Sequence, residues 1–212
     1  MKDIPVFTGS FGAAGLTLSQ IPYTGKAYIK IHASQQPEEL LKECVEFCRA
    51  CGAEMIFASG KDMPENCPVR ATLVSMSCSK EQLVQGAANA VAATEETISQ
   101  WLDIYRRRME NVPNASYISD RDAKKLLESG TCWFVWDGDT LLGIGKVSED
   151  RLEAIATCIP GAGEQVLRAL ATKITTDTVI LEVAQENIPA MRLYNRLGFS
   201  EFGDKVRWYQ VF

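Results

Sequence analysis

The period of the apolar positions changes several times along the chain, and each change marks a predicted element. Around residues 27–59 the alternating segment AYIKIHA is followed by a helical pattern that opens at Pro37, and then by a second apolar segment, AEMIFAS. Alternation indicates a strand, whereas apolar residues three or four apart indicate a helix. This part of the chain therefore predicts a compact right-handed β-α-β unit.

The central part of the chain is predicted to be mainly helical. A strand over residues 71–78 comes first, and the spacing of Ser79 and Gln82 is typical of a capping box. The apolar and small residues that follow predict one or two helices that reach about Met109.

Strands and helices alternate after that region. Ser119 and Asp122 begin a short helix that stops at Gly130. The elements predicted next are a hairpin turning at Gly138 and Asp139, a strand over 152–159, a helix over 165–174, a strand over 178–184, a helix and a last strand, RWYQVF. This order predicts an α/β fold with a mixed sheet.

The most informative segment is QENIPAMRLYNRLGF, which directly follows the apolar strand TVILEVA. Asn187 is a good N-cap, and Pro189 falls in the first turn, where a missing N–H costs nothing. One apolar stripe follows at helical spacing, formed by Ala190, Leu193, Tyr194 and Leu197. Gly198 then ends the helix. The alternative is a capped amphipathic helix of any α/β domain, with Tyr194 as an ordinary core tyrosine.

These residues resemble the C-terminal motif of the GNAT superfamily of acyl-CoA N-acyltransferases, which is a strand followed by N-x-x-A-x-x-L-Y-x-x-x-G-F. Every fixed position is present between Asn187 and Phe199. The order of predicted elements from about Ala92 onward also resembles the GNAT fold. The resemblance implies a GNAT domain over residues 86–212, preceded over residues 1–85 by a partial, degenerate copy of the same fold.

The resemblance also implies direct acetyl transfer from acetyl-CoA to a small-molecule amine. In the family a backbone N–H of the fourth strand polarises the thioester carbonyl, and an acid protonates the departing thiolate. Tyr194 occupies the position of that acid. Asn187 would cap the helix and could also contact the cofactor, and the polarising amide is expected from the stretch Ala156, Thr157 and Cys158.

The general base is left open at this point. Glu153 and Glu182 lie on the two strands that part in this fold to admit the cofactor, and either carboxylate could take the ammonium proton, directly or through water. Solvent-facing strand positions explain both residues equally well. The lone histidine, His32, is better explained as a satisfied strand residue than as a base.

The loop expected to bind the pyrophosphate of coenzyme A departs from the family pattern. The family has Arg or Gln, two residues, and then Gly-x-Gly or Gly-x-Ala, so that helix N-terminal amides point at the phosphates. Here Gly161, Ala162 and Gly163 match only if the loop is shortened and its Arg or Gln is lost, and Glu164 adds a charge that repels phosphate. The alternative is a plain glycine turn, which predicts a catalytically silent GNAT-fold binding or interaction module.

The composition of the chain indicates which classes of partner it can bind. Twenty-two basic and 27 acidic residues give a net charge of -5, which disfavours nucleic acid, and the basic run Arg106–Arg108 is interpreted as a solvated helix face. The chain has neither an 18-residue apolar run nor a signal-peptide pattern, so we expect a cytoplasmic protein with no membrane partner. The oligomeric state is not indicated.

The seven cysteines are expected to be reduced thiols, since no export signal accompanies them. Cys44, Cys48 and Cys51 have the C-x3-C-x2-C spacing with which radical S-adenosylmethionine enzymes hold an iron-sulfur cluster. They also share a helical stripe with Leu40 and Phe47, whereas cluster cysteines lie on loops. We therefore expect buried free cysteines on a helix and no metal site.

Overall fold

The computed structural model describes residues 6–61, 63–64, 67–83, 88–112 and 115–212. The chain forms two compact units, of which the first takes in Met1–Leu73 and Lys205–Phe212 and the second Val74–Asp204. The domain boundary expected between residues 85 and 86 falls outside the described residues, and it stays a prediction.

The first unit is a small mixed sheet that packs against one long helix. Its elements are β1 (Val6–Gly9), β2 (Gly12–Thr17), α1 (Ile21–Thr24), β3 (Lys26–Ser34), α2 (Pro37–Ala50) and β4 (Met55–Ser59). β1 and β2 form an antiparallel hairpin, and β2 pairs antiparallel with β3. β3 and β4 are parallel, with Lys26 opposite Met55, which confirms the predicted β-α-β unit.

The second unit contains the segment that resembles the acyltransferases. Its elements are β5 (Val69–Ser79), β6 (Asn89–Ala92), α3 (Ile98–Met109), α4 (Ala123–Ser129), β7 (Cys132–Asp137), β8 (Thr140–Ser148), β9 (Arg151–Thr157), α5 (Gly163–Ala171), β10 (Thr178–Ala184), α6 (Ile188–Arg196) and β11 (Ser200–Gln210). The first residues of β5 and the last of β11 belong to the first unit, where Tyr209 pairs with Ala58 of β4. Within the second unit the strand order is β5-β10-β9-β8-β7-β6.

The sheet of the second unit has a hydrophobic cluster on each face. One cluster joins the sheet to α5 and α6, and the other joins it to α3 and α4. Phe134 and Val135 are neighbours on β7, yet Val135 belongs to the first cluster and Phe134 to the second. This is expected, because successive side chains of a strand point to opposite faces of the sheet. On β8, Gly145 lets α5 approach closely, because a Cβ at this position would collide with Leu170.

Helix prediction is wrong for part of the central region. Lys80–Gln82 forms a 3-10 turn, none of the described residues between Ser79 and Asn89 is α-helical, and the Ser79 side chain makes no capping hydrogen bond. Residues 84–87 lie outside the described residues, and Asn89–Ala92 is the strand β6, paired antiparallel with β7. Pairing with β7 therefore overrides the helical propensity of this alanine-rich stretch.

The cysteine-rich helix begins at Pro37 as predicted, but the stripe of cysteines is not buried throughout. Cys44 and Cys48 on α2 are fully buried, whereas Cys51 follows the helix and is exposed, and Phe47 is 42% exposed. Within the part of the chain that the structure describes, no three His, Cys, Asp or Glu side chains are grouped as metal ligands. His32 lies on β3 and is exposed.

None of the helices among the described residues is both long and apolar enough to span a membrane.

Candidate functional site

Strands β9 and β10 meet at one end only. They pair in parallel where Ile180 lies opposite Arg151 and Leu181 opposite Leu152, and the Ile180 amide donates to the Asp150 carbonyl at 2.8 Å. Over the rest of both strands, which are described throughout, they make no further pairing with each other. The two strands therefore part toward their carboxyl ends and leave backbone groups facing a gap.

The hydrogen bonding of β9 decides which of the predicted amides faces that gap. The Cys158 amide donates to the Leu142 carbonyl of β8 at 2.7 Å, so Cys158 is engaged and does not supply the free donor. Ala156 lies opposite Ile144 in the same register, so alternation directs its N–H toward β8 as well. Of the three predicted residues, only Thr157 directs its amide toward the side where β10 has moved away.

Helix α6 is built as the sequence predicts. The Asn187 side-chain oxygen accepts a hydrogen bond from the Ala190 amide at 3.3 Å, and Gly198 ends the helix with φ of 89°. Tyr194 lies on the apolar face and is 9% exposed, with its ring 5.7 Å from that of Phe199. The cap, the stripe and the glycine stop together place the Tyr194 ring in the cluster that joins the sheet to α5 and α6.

Replacement of Asn187 by alanine is expected to destabilise the protein by about 1 kcal/mol, because the first turn of α6 loses its side-chain acceptor. Urea denaturation measures the change. Asn187→Asp is the matched control, since aspartate caps about as well as asparagine, and the two variants should differ clearly. Equal stability of both variants would show that the cap contributes nothing.

Burial sets the proton affinity of Tyr194. Removal from solvent raises the pKa of its phenol to about 12. The hydroxyl group is therefore fully protonated at neutral pH, so Tyr194 can donate a proton but cannot act as a base.

The loop between β9 and α5 is a tight turn. The Ala162 amide donates to the Ile159 carbonyl at 3.3 Å, and Pro160 and Gly161 occupy the centre, with φ of 84° at Gly161, as in a type II turn. The Ala162 amide is thus committed to the turn. α5 begins at Gly163, where a Cβ would lie 3.0 Å from the Leu193 side chain, so glycine allows the start of α5 to lie close to α6.

The charge of Glu164, expected to repel phosphate, is compensated by two arginines. One carboxylate oxygen accepts from Arg168 at 3.0 Å and the other lies 3.4 Å from Arg196 of α6. The hydrogen bond from Arg168 is the main reason why the pKa of Glu164 is lowered. The first turn of α5 consequently carries no net negative charge.

The two base candidates lie on the face of the sheet opposite Tyr194. Leu181 and Val183 pack in the α5–α6 cluster with Tyr194, so alternation directs Glu182 toward the α3 face. Glu153 forms an ion pair with Lys146 of β8. Its charge also contributes, after burial, to the raised pKa of Tyr105 on α3, which places Glu153 on this face too.

The arginines at the end of α3 are not a merely solvated face. Arg106 donates to the Ile118 carbonyl and pairs with Asp120, both at 2.8 Å. Arg108 reaches the loop after β9 and donates to the Cys158 carbonyl at 3.0 Å. No spacing in the sequence signals the second contact, because it joins residues 50 positions apart.

No protein-family model and no curated protein matches the sequence. Solved structures do resemble it. A conserved protein of unknown function from Staphylococcus epidermidis matches with a TM-score of 0.66 at 13% identity, over 99% of this chain and 95% of its own. A GCN5-related N-acetyltransferase from Sphaerobacter thermophilus matches with a TM-score of 0.60 at 10% identity, over 93% of this chain and 75% of its own.

A third similar structure bears on the N-terminal unit. It is a tandem GNAT protein from the clavulanic acid biosynthesis pathway, and it matches with a TM-score of 0.56 at 11% identity, over 97% of this chain and 80% of its own. The predicted tandem arrangement is consistent with this match. The parted strands, the capped helix α6 and these similarities identify the fold of the chain as that of the GCN5-related N-acetyltransferases.

Proposed function

We propose that the protein transfers the acetyl group of acetyl-CoA to a small-molecule amine. The observation that carries the proposal is the gap between β9 and β10, toward which the Thr157 amide points. Tyr194 belongs to the cluster on one face of the sheet, and Glu153 and Glu182 lie on the other face. Each of the two glutamates directly follows the last residue at which its strand pairs with the other, so both lie where the strands part.

Each group has a defined task in direct transfer. The amine nitrogen attacks the thioester carbon after a carboxylate has taken one of its protons, and the Thr157 N–H stabilises the oxyanion that develops. The carbon–sulfur bond then breaks, and the leaving thiolate receives the proton of the Tyr194 hydroxyl. The nitrogen loses its second proton as the amide forms, and this proton restores the Tyr194 hydroxyl. The carboxylate releases the proton that it took to solvent, so the products are an amide, a free thiol and one proton.

Glu182 is the better supported of the two bases. Glu153 is held by Lys146 in an ion pair, which keeps its carboxylate in a fixed position on the strand. Glu182 is exposed and forms no ion pair with any described residue. It is therefore freer to approach an incoming ammonium group.

The compensated charge at Glu164 also supports the proposal. A carboxylate in the first turn of α5 would by itself disfavour a phosphate there. Arg168 and Arg196 offset this charge, and the first-turn amides of α5 have no acceptor within the helix. The pyrophosphate of acetyl-CoA would supply such an acceptor.

Acetyl-CoA is expected to stabilise the protein by about 2.7 kcal/mol when it is present at ~100 times its dissociation constant. Thermal or urea denaturation with and without acetyl-CoA measures this, with adenosine as the control that lacks phosphate and thioester. Release of free thiol in the presence of a panel of primary amines then tests transfer. The silent binding module predicts no stabilisation at millimolar acetyl-CoA and no thiol release, and that result would rule out our proposal.

A further inference from the structure

Arg108 lies at the entrance of the loop that joins β9 to α5. Its Nη2 donates to the Cys158 carbonyl oxygen at 3.0 Å, and Cys158 is the first residue after β9. The neighbouring Arg107 is also close, since both arginines partly oppose the rise that burial causes in the pKa of the Cys158 thiol. The C-terminal end of α3 therefore brings two cationic side chains to this loop.

These two cations have no described acidic partner of their own. In the described part of the chain, neither Arg107 nor Arg108 forms an ion pair, whereas Arg106 is paired with Asp103 and Asp120. Among the described residues, Arg107 donates a hydrogen bond to the Asp103 backbone carbonyl, which leaves the Arg107 charge unpaired there. A guanidinium has five N–H donors, so Arg108 keeps several of them after its bond to Cys158.

Arg168 and Arg196 are bound to Glu164 in the first turn of α5, so they are already compensated. Arg107 and Arg108, by contrast, bring positive charge to the loop without an ion-pair partner among the described residues, in a chain whose overall charge is -5. Packing does not account for these two charges, because Arg107 and Arg108 are exposed. They are suited to an anion, and guanidinium groups match phosphate geometry in particular.

We infer that Arg108 binds a phosphate group of the acetyl-CoA substrate and so replaces the Arg or Gln that the loop itself lacks. The inference rests on the proposed function. The Cys158 carbonyl holds the guanidinium beside the loop, and the remaining donors of Arg108 are available to the phosphate. Arg107 adds attraction, while Arg168 is largely occupied by Glu164 and by the carbonyls of Gln82 and Leu83.

A purely structural role for Arg108 makes a different prediction. If the residue served only to tie α3 to Cys158, its loss would lower the free energy of unfolding and would not change phosphate affinity. Binding must therefore be measured beside stability. Suitable probes are acetyl-CoA, adenosine 3′,5′-bisphosphate and adenosine, titrated calorimetrically into the purified full chain.

Arg108→Gln is expected to weaken binding of acetyl-CoA and of the bisphosphate about 10- to 100-fold, the range for one charged hydrogen-bonded contact. The matched control is Arg121→Gln, which removes an equal charge from the exposed turn before α4 and should leave affinity as it is. Urea denaturation of each variant separates affinity from stability.

The outcomes distinguish the inference from the proposed function. If Arg108→Gln binds both probes as tightly as Arg121→Gln does, Arg108 is not a phosphate ligand, even if the enzyme is active. If the wild-type protein binds the bisphosphate through Arg108 but never releases thiol, the phosphate site stands and the transferase proposal is wrong. If Arg108→Gln does not fold, binding to the wild-type protein still tests the inference. Adenosine lacks phosphate, so an affinity for adenosine equal to that for the bisphosphate would overturn the inference.

Discussion

Replacement of Tyr194 by phenylalanine is expected to lower kcat about 100-fold while acetyl-CoA binding stays intact. The variant keeps the ring that packs on α6 and against Phe199, and it loses only the hydroxyl. Positioned proton donors contribute about 10²- to 10⁴-fold to catalysis. We expect the lower end of that range, because burial raises the pKa of Tyr194 to about 12 and makes the phenol a weaker acid.

Thiol release under saturating acetyl-CoA measures kcat, and the ligand-induced stabilisation reports binding in the same preparation. Tyr117→Phe is the matched control, because it also removes one phenolic hydroxyl while keeping a ring, here one that stacks with Arg106. Its turnover should equal that of the wild-type protein. Unchanged turnover in Tyr194→Phe would remove Tyr194 from the catalytic role.

Stability is expected to fall steeply between pH 10 and pH 12. Burial is the main cause that raises the pKa of both Tyr105 and Tyr194 from 10.0 to about 12. A group whose pKa is higher in the folded state stabilises that state fully below its unfolded pKa, and this stabilisation is lost as pH rises through the folded pKa. At 1.36 kcal/mol per pKa unit, the two tyrosines together account for about 5 kcal/mol.

A buried thiol extends the pH range over which stability is lost toward lower pH. Burial raises the pKa of Cys132 from 9.0 to about 11, so the loss of stability should begin near pH 9. Urea denaturation at pH 8, 9, 10 and 11 measures the decline, and tyrosine absorbance reports ionisation. The Tyr194→Phe variant tests the assignment, since its curve should decline by about 2.7 kcal/mol less by pH 12. A stability that stays level up to pH 11 would contradict the expected ionisation of these groups.

Helix α6 shows what the sequence predicts well. The cap of Asn187 on Ala190 and the stop at Gly198 depend on residues that are at most a few positions apart. Their geometry follows from the local backbone, so the start, the apolar face and the end of the helix can be predicted without knowing the fold. The same is true of α2 and of the hairpin at Gly138.

Strand β6 shows where such prediction fails. The stretch from Asn89 to Ala92 has local residues that favour a helix, yet it pairs with β7, which lies about 40 positions later. The antiparallel hairpin of β1 and β2 also escaped prediction, because β1 has only four residues and the glycine- and alanine-rich β2 carries little alternation. For β6, pairing energy between distant segments outweighs a weak local preference.

The candidate site also has features that the sequence predicts and others that depend on the fold. Tyr194, Glu153 and Glu182 can be named from the motif and from strand order, but their distribution over two faces depends on how the sheet packs. Arg168 lies four positions after Glu164, a spacing that a helix brings together, and this part of the compensation can be predicted. Arg196, however, lies 32 positions from Glu164, and Arg108 lies 50 positions from Cys158. A one-dimensional pattern carries no signal for such contacts.

The sequence by itself determined the order of most elements, the capped helix that carries Tyr194 and the resemblance to the acyltransferase fold, because these depend on short-range spacing. Only the tertiary structure decided that β9 and β10 part beyond Leu152 and Leu181, that the Cys158 amide is occupied, and that Arg108 contacts Cys158 while Arg196 contacts Glu164. Those features arise from contacts between segments far apart in the chain, whose energies come from packing and charge and not from local propensity.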